Sequence, residues 1–64
     1  MRSEQDILML RARQLVAGWG SRAEQAAAQR LRDAERQGDD AAALRWAEVS
    51  RMVRDILWNR GAHA

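Results

Sequence analysis

From Asp39 to Asn59 the apolar residues recur at helical spacing: Ala42, Trp46, Val49, Val53, Ile56 and Leu57 fall on one broad stripe. Neither Pro nor Gly interrupts this stretch, and Ala, Leu, Arg, Met and Glu dominate it, so the pattern predicts a helix over about 40–59. Asp39 or Asp40 is placed to cap its start, opposing the positive end of the helix dipole. Arg60 in the last turn followed by Gly61 reads as a stop, with 61–64 as a frayed tail. The opposite side carries Leu44, Ala47, Glu48, Arg51, Arg54, Asp55 and Trp58, with Glu48–Arg51 and Arg51–Asp55 at ion-pair spacing. Leu44 and Trp58 are thus apolar residues on a wetted side. Ser50 falls near the border of the core stripe, where its hydroxyl is expected to bond back to its own backbone.

Upstream, the pattern is less one-sided. Met1 and Arg2 read as loose, and Ser3 with Asp6 forms an approximate capping box that opens a helix over about 4–17. Leu8, Ala12, Leu15 and Val16 make its core stripe, and Ile7, Leu10 and Ala17 make a second stripe well away from the first. Gly18-Trp19-Gly20-Ser21 reads as the break, with Gly18 left-handed past the helix end and Trp19 plugging the end of the core. Ser21 with Glu24 has the form of a capping box for a second helix over about 22–37. Ala23, Ala27, Leu31 and Ala34 face inward on that helix, while Arg22, Gln25, Gln29, Arg32 and Arg36 form the most basic surface of the chain. Gly38 ends it, and the short connection to Asp39 predicts an antiparallel hairpin of the second and third helices.

The expected fold is therefore all-α: one small domain over 1–64, a three-helix bundle packed around Trp46, Val49, Val53, Ile56, Leu15, Leu8 and Leu31. A chain this short and without cysteine has a thin stability margin, for which oligomerisation is a common remedy. The longest apolar run, Ile7 to Leu10, is too short to span a bilayer and has no signal-peptide character, so no membrane is implied and a cytoplasmic location is expected.

Charge adds little direction. The net charge is +2 from 11 basic and 9 acidic residues, and every basic residue is arginine. A chain without lysine and rich in Ala and Arg looks like the product of a GC-rich bacterial genome, whereas the arginine fork also suits phosphate.

Catalytic chemistry finds no foothold. The single histidine, His63, sits in the tail, Asp39 and Asp40 are accounted for by capping, and no glycine-rich phosphate loop or cysteine is present. Three short helices leave no room for an enzymatic pocket. A non-enzyme with no cofactor, no metal and no small-molecule substrate is expected. The Ala34–Gly38 spacing imitates a helix-turn-helix, but the helix that would approach DNA opens on Asp39 and Asp40, which phosphate repels.

Gly20, Arg22, Ala23, Ala28, Arg30, Leu31, Ala34, the turn Gly38-Asp39, Ala41, Arg45-Trp46, Glu48 and Val49 give the chain a family likeness. Over the second and third helices, about two thirds of the chain, it resembles a family of short alphaproteobacterial, mainly sphingomonad, proteins of unknown function. The resemblance implies a Gly-Asp hinge between two helices and Trp46 as an anchor. It implies no activity.

What remains is a surplus of apolar surface. Ile7 and Leu10 on one helix, with Leu44 and Trp58 on another, cannot all lie on a single core face. With Arg51 they are the residues expected to bind a partner protein or a second copy of the chain. Phage- and mobile-element-encoded inhibitors, anti-CRISPR proteins among them, share this size and lack of chemistry. The competing expectation is a nucleic-acid-associated regulator that holds phosphate through Arg22, Arg32 and Arg36.

Overall fold

The computed structural model describes residues 3–62, and the side chains of residues 3–59. Met1, Arg2 and His63, given a role or dismissed above, lie outside the described residues. All the regular structure within them is helical: α1 spans Glu4–Trp19, a 3-10 turn spans Gly20–Arg22, α2 spans Ala23–Arg36 and α3 spans Asp40–Ala62. Helical backbone runs unbroken from Glu4 to Arg36, so α1 and α2 are two limbs of one bent arm and α3 is a second arm. The expected all-helical character holds, and by continuity the described backbone makes two arms, the first of them bent.

The reason lies in the glycines. Gly18 is not a stop; it is inside α1, and the positive φ falls two residues later at Gly20, with φ 57 and ψ −129. One interior glycine costs a helix only about 1 kcal/mol, too little to end it. The expected Ser21 capping box is also absent. Arg22 occupies the position before α2 and makes no side-chain cap, because the 3-10 turn already serves the helix start through the Ala23 N–H donating to the Gly20 carbonyl. The same argument applies to Gly61, which α3 carries through to Ala62 in place of the expected end near Asn59.

Other local signals hold. The Asp6 N–H donates to Ser3 Oγ at 3.2 Å and the Ser3 N–H donates to Asp6 Oδ2 at 3.4 Å, closing the reciprocal box at the start of α1. At the end of α2 the Gly38 N–H reaches the Glu35 carbonyl at 3.1 Å and the Asp39 N–H reaches the Ala34 carbonyl at 3.0 Å. This is a Schellman closure, and it requires the φ of 72 that Gly38 supplies. Asp39 Oδ1 then accepts from the Ala42 N–H at 3.1 Å and caps α3.

α2 and α3 share the most extensive contact, α1 packs next on α3, and α1 meets α2 least. The buried cluster is Leu8, Ala12, Val16, Ala23, Ala27, Val49, Met52 and Val53, with Leu15, Trp46, Ile56 and Leu57 packed half-buried against it. Leu31 is half-buried outside that cluster. Among the described residues only Val49 and Val53 are large and fully buried, so the core is thin. Alanines at positions 12, 23 and 27, all at 0% exposure, let the helices approach closely. They also close the core near the bend, which leaves Trp19 outside at 57% exposure. The expectation that Trp19 plugs the core is overturned.

Candidate interaction surface

α3 divides into two sides. Val49, Met52 and Val53 point inward and bury, which turns Leu44, Arg51 and Trp58 to solvent at intervals of seven residues. Leu44 is 74% and Trp58 76% exposed, the two most exposed large apolar side chains among the described residues. On α1 the burial of Leu8, Ala12 and Val16 turns Ile7 and Leu10 outward, at 51% and 43% exposure. All four apolar residues singled out in the sequence are exposed. They do not form one patch at a single concavity: Leu44 lines a groove with Glu4, Gln5 and Leu8, Ile7 one with Trp46 and Ala42, and Leu10 one with Met9 and Arg13.

Arg51 donates to Glu48 Oε1, as the spacing predicted; its second expected partner, Asp55, makes no ion pair with it among the described residues. Arg54 instead reaches across to α2, where its Nε donates to Glu24 Oε1 at 3.0 Å. Ser50 departs from expectation. Its Oγ is buried and has no hydrogen-bond partner among the described residues, neither backbone nor side chain.

The molecule is flat, with extents of 40 × 30 × 17 Å. The shortest of these equals roughly two packed helix layers at an interaxial spacing of about 8–10 Å, so the outer sides of the helices stay bare.

The arginines of the 3-10 turn and of α2 border two concavities. Arg32 donates to Gln29 Oε1 at 3.2 Å, Gln29 to Asp33 Oδ1 at 3.1 Å, and Arg36 to the same Asp33 oxygen at 3.2 Å. Arg32 and Arg36 thus share a relay that ends on a carboxylate, and they border one concavity with Glu35. Arg22 borders the other side of that relay, in a shallow cavity of about 520 Å³ lined by the exposed Trp19, by Gln25, Gln29 and Arg30, and by the Asp33 carboxylate itself.

Met52, Arg11 and Arg30 escaped the pattern reading. Met52 is 7% exposed in the core, although Val49, Met52, Val53 and Ile56 fit the i, i+3, i+4, i+7 template that would have found it. Trp46 was expected as an anchor, but not its partners: the Arg11 and Arg30 guanidinium carbons stand 5.4 and 5.9 Å from its ring centroid. No helix among the described residues is long and apolar enough to cross a membrane. Among the same residues no three acidic or histidine side chains are grouped to hold a metal ion. Comparison with protein-family models, curated proteins and solved structures finds no match to this chain, and the surface is read from its own geometry.

Proposed function

We propose that this chain is a small non-enzymatic interaction module of the cytoplasm that binds a partner protein or a second copy of itself. In this reading α2 and α3 act as an antiparallel hairpin with α1 as the third helix of a bundle, and their outer sides do the binding. One observation carries it: Leu44 and Trp58 lie three-quarters exposed in a domain whose only large, fully buried side chains among the described residues are Val49 and Val53. A chain that buries so little and exposes so much apolar surface gains from covering it, at about 1.5–3 kcal/mol for each large side chain fully buried. Aromatic residues and arginine, here Trp58 and Arg51, are also the residue types enriched where binding energy concentrates.

Solution mass across a concentration series tests the self-association arm, using wild type and the Ile7→Ala/Trp58→Ala variant. A wild-type mass that climbs above 7.3 kDa, lost in a variant of unchanged helix content, supports it. A wild type that stays at the monomer mass throughout removes that arm and leaves a foreign protein as the only partner of this reading.

A second reading is favoured by the exposed Trp19 beside Arg22 and two amide side chains, a combination suited to stacking a base and holding its phosphate. It is the weaker one, because Arg32 and Arg36 are committed to Gln29 and Asp33. Titration of a short single-stranded oligonucleotide at two salt concentrations separates the readings, since phosphate binding falls steeply with salt and apolar association does not.

A further inference from the structure

We infer that the cleft beside Trp46, between α1 and the first half of α3, binds a carboxylate carried on one compact apolar group. The inference goes beyond the interaction-module reading: it uses neither Leu44 nor Trp58 and stands whether or not the chain self-associates.

The cleft follows from the order of side chains on α3. Ala42, Trp46 and Val49 are four and three residues apart, so they lie along one side of the helix. Ala42 is small where its neighbours are large, and a cleft of about 210 Å³ stays open there, with Ile7 and Leu8 of α1 also lining it. Leu8 and Val49 are buried, Ala42 and Trp46 half-buried, so the lining is apolar. The charged residues that border it are Arg11 and Arg45, both exposed, and no acidic residue does.

Those charges are uncompensated. Arg11 stands 5.4 Å and Arg30 of α2 5.9 Å from the centroid of the Trp46 ring, and Arg45 is the residue before it. Arg36, Arg51 and Arg54 each hold a carboxylate, whereas Arg11, Arg30 and Arg45 make no ion pair and no side-chain hydrogen bond among the described residues. Glu4 and Glu48 border the adjoining groove with Arg45, yet neither pairs with it, and Glu48 is taken by Arg51. A cleft with apolar walls and charge of one sign concentrates the opposite charge.

The lining selects the rest of the ligand. A bare anion would leave the apolar walls uncovered, and a neutral hydrocarbon would leave the arginines unanswered. The volume suits a single ring or branched group, since about 150 Å³ already admits benzene, and falls short of the 300 Å³ or more typical of larger ligands. A carboxylate matches the planar arginine fork. A free aromatic or branched-chain acid carries this chemistry, and so does the last residue of a peptide that ends on an apolar side chain.

The test is titration of the Trp19→Phe/Trp58→Phe chain, in which Trp46 is the one remaining tryptophan and both replaced indoles are exposed. With 3-phenylpropionate, Trp46 fluorescence is expected to change saturably with a dissociation constant on the order of 1 mM or tighter, and the thermal midpoint to rise. Its neutral amide, 3-phenylpropionamide, should bind at least about tenfold more weakly, as should the acid to Arg45→Gln, a variant that loses no contact of the fold. Ala42→Leu, which fills the cleft, should abolish binding with helix content unchanged. A tripeptide ending in phenylalanine separates the sources: tighter binding than 3-phenylpropionate assigns a chain end, weaker binding a free acid. Equal binding of acid and amide overturns the inference, as does acetate or inorganic phosphate binding as tightly as 3-phenylpropionate. The absence of both a fluorescence change and a raised midpoint at 10-fold higher concentration, roughly 10 mM, overturns it outright.

Discussion

The Arg11 guanidinium carbon of α1 stands 5.4 Å from the centroid of the Trp46 ring of α3. Arg30 of α2 approaches the same ring at 5.9 Å, so one half-buried indole is held by both limbs of the bent arm. Cation–π contacts of this kind are worth about 0.5–1 kcal/mol at exposed sites. In a fold with so few large buried groups, the indole is a main tie between the arms.

Trp46→Ala is therefore expected to lower unfolding free energy by about 2–3 kcal/mol, below the range for a full core tryptophan because the ring is half-buried. Arg11→Met should cost about 0.5–1 kcal/mol, and should cost nothing in a Trp46→Leu background. Urea denaturation of the four variants closes the cycle. An Arg11→Met effect that persists without the indole would show that the arginine acts through something else.

The glycines order themselves by backbone. Gly20, with φ 57 and ψ −129, and Gly38, with φ 72, hold conformations that L-residues resist, although neither would meet another atom within 4 Å on gaining a Cβ. Gly38→Ala should cost about 1–2 kcal/mol and Gly38→Asn less, since asparagine tolerates the left-handed region. Gly20→Ala should cost more than Gly38→Ala. Gly18→Ala, in open space inside α1, should stabilise by about 0.5–1 kcal/mol. Thermal midpoints of the variants check the ranking.

Ser50 offers the opposite test. Its buried Oγ has no partner among the described residues, so the hydroxyl was desolvated without return. Ser50→Ala is expected to raise stability by about 0.5–1.5 kcal/mol, read as a higher urea midpoint with an unchanged slope. A loss of stability would mean that the hydroxyl is satisfied in solution.

The Glu24–Arg54 pair joins residues thirty positions apart, yet both side chains are well exposed, at 46% and 65%. A double-mutant cycle with Glu24→Gln and Arg54→Gln should return a coupling of less than about 1 kcal/mol, fading as salt rises. A coupling that survives molar salt would contradict this.

Much of this was legible in the residues, and what was missed has a common cause. Apolar periodicity marked the buried sides of all three helical stretches, and the same arithmetic marked Ile7, Leu10, Leu44 and Trp58 as left over. Ser3-Asp6 and Gly38-Asp39 gave true ends because a cap is a local arrangement that a few residues decide. The Gly18–Ser21 break misled, since two glycines and a capping serine fit both a loop and a tight turn. Choosing between them depends on how α2 packs on α3, which no local window contains. Trp19 went astray for the same reason: of the alanines that close the core near it, Ala23 and Ala27 come from α2 and only Ala12 from its own helix. The arginines over Trp46 come from two other helices, and only the assembled fold brings them to one ring.

The Gly38 turn also sets a tempo. It joins α2 and α3, which share the largest contact in the molecule, through only Gln37, Gly38 and Asp39. Closing a loop so short costs little chain entropy and takes on the order of 10–100 ns or less. Helical chains dominated by such near neighbours fold within microseconds to milliseconds. α2 and α3 thus come together early in folding, and Leu44 and Trp58 are displayed on a formed helix, not on a loose hydrophobic segment.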